Sequence, residues 1–143
     1  MKMVGVFLVS LTIIFSLFWL VASTRKSDTV PMSSGRYFHV WGKVQGVMFR
    51  QTLIRAAQKR NLKGAATNLK VPQKNEVEFY LAGDNAKIDE IVSFMQSGKD
   101  LNSWGAKVEK LVEMSSGKAF TDHQVTTDNV DNFNWSKNVE FYL

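Results

Sequence analysis

Between residues 36 and 114 the hydrophobic period of the chain switches repeatedly between two residues and about 3.6, and the order of those switches admits few folds. Residues 36–41 (RYFHVW) are β-branched and aromatic and predict a strand. Gly42 ends that run and opens a loop, GKVQGV, after which Phe49, Leu53, Ala56 and Ala57 fall on one helical face that stops near residues 61–64. A second strand is expected over about residues 65–69 and a turn over 72–75. A third strand follows over 77–81, with Val77, Phe79 and Leu81 on one face and Glu78 and Tyr80 on the other. Asp84 or Asn85 caps a second helix whose apolar stripe is Ile88, Ile91, Val92 and Met95, with Gly98 as its stop. Residues 107–114 read as a fourth strand, 115–136 as a polar, mobile loop, and 137–143 (KNVEFYL) as a fifth strand. The order β-α-β-β-α-β plus one strand is the α+β, ferredoxin-like arrangement: a mainly antiparallel sheet of four to five strands with two helices on one face.

Residues 3–22 stand apart as an uncharged, mostly apolar run, preceded by Lys2 and followed by Arg25 and Lys26. Twenty helical residues span about 30 Å, enough to cross a bilayer. Val21, Ala22 and Ser23 are also small enough for a signal-peptide cleavage site. The organisation expected is therefore a signal peptide or membrane anchor over 1–23, a polar linker over 24–33 and one globular domain over 34–143. Such a protein is secreted, periplasmic or held at a membrane through residues 3–22. The chain has no cysteine, so disulfides and thiolate chemistry are excluded, and its two histidines, His39 and His123, form no spaced ligand pair.

Charge is divided unevenly. No acid lies between Asp28 and Glu76, while nine basic residues do; from Glu76 onward twelve acids face six bases. An anionic ligand suits the basic half. Nucleic acid is the competing partner for such a field, but the chain carries no RNA-binding signature, and none is expected to bind.

The loop at residues 42–47 joins a strand to a helix start, where the first backbone N–H groups have no internal partner and carry partial positive charge. Its glycines allow successive amides to converge on an anion of phosphate size. The spacing is not that of a nucleoside-triphosphate loop. Arg50 lies in the first helical turn, where a cation opposes the helix dipole by about 0.3–1 kcal/mol. An arginine belongs there if a bound dianion takes its planar fork. Gln45 is either a turn residue or a further donor.

The nine residues Gly42-Lys43-Val44-Gln45-Gly46-Val47-Met48-Phe49-Arg50 resemble the acylphosphatase signature G-[RK]-V-Q-G-V-x-F-R at every defined position. Gly64 and Asn68 resemble the family's G-W-V-R-N segment, Val77, Glu78 and Gly83 its next strand and exit, and residues 139–141 its closing strand. The resemblance implies a metal-free and cofactor-free hydrolase, a monomer, that converts a small acyl phosphate to carboxylate and inorganic phosphate. It implies that the amides of Gln45, Gly46, Val47, Met48, Phe49 and Arg50 cradle the phosphate, that the Arg50 guanidinium binds it and that Asn68 orients the attacking water. Ala65, Ala66 and Thr67 depart from the family's Trp, Val and Arg; they are expected to thin the packing around Asn68 and remove one charge. The alternative is a non-catalytic ferredoxin-like module that keeps the anion cradle for binding alone.

Overall fold

The computed structural model describes residues 35–70, 72 and 75–143. The expected signal peptide or anchor and the linker lie outside these residues. Among the described residues no helix is long and apolar enough to cross a membrane.

The elements follow in the order β1 (Arg36–Lys43), α1 (Phe49–Lys59), β2 (Lys63–Asn68), β3 (Glu76–Ala82), α2 (Asn85–Gln96), β4 (Lys107–Met114) and β5 (Val125–Thr126). One sheet has the order β4-β1-β3-β2-β5, and every neighbouring pair is antiparallel. Inserting β3 between β1 and β2 is the ferredoxin-like crossover expected from the sequence. Both β1 and β2 run antiparallel to β3, so the β1–α1 loop and the C-terminal end of β2 lie at the same end of the sheet.

Alternation explains which face meets the helices. Phe38 and Val40 of β1, Ala66 of β2 and Val77, Phe79 and Leu81 of β3 join Leu53, Ile54 and Ala57 of α1 and Ile88, Ile91 and Met95 of α2 in one buried core. Phe38 and Phe79 are register partners and stack at 4.9 Å. Gly64 lets α1 sit close to β2, since a Cβ there would lie 3.0 Å from the Ala57 methyl. Asp84 caps α2 by accepting from the Ala86 amide at 2.8 Å, and Gly98 beyond the helix has φ +72°.

Two expectations need correction. The fifth strand is Val125–Thr126, not residues 137–143, which make a single bridge, Asn102 to Phe141. A pattern of alternation does not say what the strand pairs with. Residues 140–142 exchange backbone bonds with the loop at 101–103 instead, and Leu143 is buried. The stretch 115–136 is not a mobile loop but a docked strap, with His123, Val125, Thr126 and Val130 all buried. Glu78 and Tyr80 do face away from the helices, yet β3 is buried along its whole length. The strap covers that second face: the Lys118 amide donates to Glu78 at 3.1 Å and the Phe120 ring meets Tyr80 edge-on at 6.0 Å.

Candidate active site

The loop between β1 and α1 begins at a bulge. The register of β1 against β4 shifts between Trp41 and Gly42, and a Cβ on Gly42, at φ +138°, would lie 2.5 Å from the Lys107 carbonyl oxygen. Gly46 (φ 75°) and Met48 (φ 61°) are both left-handed, and this alternation turns successive amides toward one side. Met48 is the N-cap of α1 and offers no side-chain cap, and no acid stands in the first turn. Among the described residues no protein acceptor meets the amides of residues 46–50.

The back of this cradle is pinned. Gln45 Nε2 donates to the Leu69 and Glu76 carbonyls, each at 2.9 Å, so its side chain clasps the loop to β2 and β3 and is not offered to a ligand. Asn102 Nδ2 donates to the Val47 carbonyl and to Thr52 Oγ1, both at 2.8 Å, and the Thr52 hydroxyl donates to the Met48 carbonyl at 2.7 Å. Asn102 Oδ1 accepts from the Trp104 and Ala106 amides at 2.9 and 3.2 Å. A trans peptide points its N–H opposite its C=O, so holding the Val47 and Met48 carbonyls behind turns the Met48 and Phe49 amides forward. Replacing the fully buried Asn102 with alanine orphans these groups, so a stability loss of about 2–3 kcal/mol in urea unfolding is expected, together with weaker inhibition by inorganic phosphate.

Arg50 lines one cavity with the loop and is half-buried. Of the four arginines among the described residues, Arg36 pairs with Glu113 and Asp89, Arg55 with Asp131 and Arg60 with Glu90. Arg50 has no such carboxylate; its Nη1 donates to Gln124 Oε1 at 2.8 Å, and burial pushes its pKa down. A cation withdrawn from water without a counter-ion raises the free energy of the fold, and a bound anion removes that cost. Asn68, the last residue of β2, donates its amide to the same Gln124 Oε1 at 3.0 Å, and its own Oδ1 is buried without a protein partner. Arg50, Asn68, Gly46, Met48 and Phe49 line one cavity of about 300 Å³.

Gln124 was not foreseen from the sequence, because nothing local distinguishes it; its place depends on Thr67. The Thr67 hydroxyl accepts from the Gln124 amide at 3.0 Å and lies within hydrogen-bond distance, 3.0 Å, of His123 Nδ1. Ala65 and Ala66 pair with Thr126 and Val125. The three departures on β2 therefore do not thin the packing around Asn68: small side chains and one hydroxyl are matched by the strap that docks on them. Burial lowers the pKa of His123, which favours its neutral form in the fold. In the unfolded chain an imidazole takes up its proton near pH 6.5. Stability is accordingly complete above that pH and declines as pH falls below it. The urea midpoint is expected to drop between about pH 6.5 and 5, and less so in His123→Gln.

Residues 36–128 match the acylphosphatase family. The chain belongs to the acylphosphatase family. Its enzyme class is therefore that of the acyl-phosphate hydrolases. The domain is similar to the crystal structure of acylphosphatase from Bacillus subtilis, with 26% identity over 62% of this chain and 90% of that chain and a TM-score of 0.44. It is also similar to the structure of an acylphosphatase from Coxiella burnetii, with 23% identity over 65% and 93% and a TM-score of 0.49. The matched residues end just after β5, and residues 129–143 lie beyond the match.

Proposed function

We propose that this acylphosphatase domain holds the phosphoryl group of its substrate on the amides of residues 46–50 and the Arg50 guanidinium, and that Asn68 aims the attacking water. The observation that carries this reading is Arg50, a half-buried arginine with no carboxylate, which lines one cavity with loop residues whose amides no protein acceptor meets among the described residues.

An acyl phosphate is a mixed anhydride whose leaving group departs as a carboxylate and needs no proton, so a strong general acid is dispensable. Phosphoryl transfer through a loose transition state depends on positioning and on stabilising charge over three equatorial oxygens. The cradle and Arg50 supply that stabilisation. Water adds to phosphorus as the bond from phosphorus to the acyl oxygen breaks. Asn68 cannot take the water's proton at neutral pH, so the proton passes to a phosphate oxygen, leaving carboxylate and dihydrogen phosphate. Hydrolysis in ¹⁸O-labelled water should place the label in inorganic phosphate. Label in the carboxylate means attack at the acyl carbon and rejects this arrangement.

The apolar run over residues 3–22 supports export of the domain or its retention at a membrane surface. The mass of the mature protein and its partition between membrane and soluble fractions separate the two.

A further inference from the structure

The extension beyond the family-matched residues comes back to the site. Phe133, Asn134 and Trp135 line the same cavity as Arg50 and Asn68, together with Trp104 from the loop between α2 and β4. Of the described residues that line the cavity, Arg50 is the only one that carries charge; the rest are mainly aromatic and aliphatic. Trp104 and Phe133 are 43% and 42% exposed, an unusual cost for large apolar side chains on one rim. The extension is fastened at several points. Val130 is buried in the core, Asp131 pairs with Arg55 at 2.6 Å, and the Arg55 guanidinium lies 4.7 Å from the centre of the Trp135 ring. Trp135 also packs on Phe141 at 5.4 Å, and the Ser103 amide donates to the Glu140 carbonyl at 2.9 Å.

We propose that residues 129–143, with Trp104, build an acyl-binding subsite that selects acyl phosphates with an uncharged aromatic or bulky apolar acyl group. The inference rests on the placement of the phosphate at Arg50, since an apolar wall beside an anion cradle suits a ligand with one charged end and one greasy end. An acyl group with a charge of its own finds no second cation among the described residues that line the cavity, and an acetyl group offers little apolar surface to Phe133 and Trp135.

The test compares benzoyl phosphate with acetyl phosphate on the full chain, each rate divided by its uncatalysed hydrolysis. The expected result is a kcat/KM preference for the benzoyl substrate of about tenfold or more. Phe133→Ala and Trp135→Ala should remove most of that preference while acetyl phosphate turnover stays within about twofold. Acetyl phosphate turnover reports whether a variant is folded; should Trp135→Ala fail on it, the rim variant Phe133→Ala decides. Equal use of the two substrates by the parent, or a preference untouched by Phe133→Ala, overturns the subsite. Arg50→Ala tells the two readings apart. If it abolishes turnover of both substrates while the preference proves absent, the phosphate site stands and only the subsite falls.

Discussion

Arg50→Ala is expected to lower kcat/KM for an acyl phosphate by about 10³-fold or more, the scale on which an arginine stabilises a transferring phosphoryl group. Inorganic phosphate should lose its inhibition in the same variant. Thermal stability should move the other way. The wild-type guanidinium is half-buried without a carboxylate and opposes the dipole of α1, so its removal should leave the melting temperature unchanged or raise it. Loss of turnover with a stable fold is the signature of a residue kept for its ligand. Arg50→Lys should rescue little, because a single ammonium cannot present the planar fork. A fall in stability that parallels the loss of activity would make Arg50 a structural residue.

Asn68→Ala should separate binding from turnover. Its side chain makes no bond that supports the fold through Oδ1, and its backbone amide keeps its bond to Gln124. A decrease in kcat of about 10²–10³-fold is expected, the magnitude seen when one preorganised polar group is lost from a transition state. Inhibition by inorganic phosphate should stay within about threefold of the parent, since the cradle and Arg50 are intact. Weakened phosphate inhibition equal to the loss in kcat would move Asn68 from the water to the phosphoryl group itself.

The regular elements were legible because their periods were long enough to read. Residues 36–41 are β-branched and aromatic, residues 77–81 alternate, and Phe49, Leu53, Ala56 and Ala57 define one helical face, so β1 to β4 and both helices were expected from local sequence. The cradle was legible for another reason: Gly46 and the strand-to-helix junction leave amides without partners whatever the tertiary structure does. What pattern could not reveal was docking. A strand of two residues, Val125–Thr126, is too short to show a period. The alanines at 65 and 66 read as lost bulk until the partner strand beside them is known. Gln124, Trp104, Phe133 and Trp135 reach the site through tertiary contacts, each bringing a side chain whose local sequence says nothing about phosphate. Gln45 shows the converse: a residue of the signature loop whose side chain serves the scaffold.

The central claim is that a phosphate dianion binds where the amides preceding and opening α1 face the Arg50 guanidinium. Titrating the ¹⁵N-labelled protein with inorganic phosphate tests it without recourse to catalysis. Saturable shifts should concentrate on the amides of residues 46–50 and on the Arg50 side chain, and Arg50→Ala should weaken the titration by at least about tenfold. Saturation with those amides unmoved, or shifts confined to another basic surface, would contradict the account.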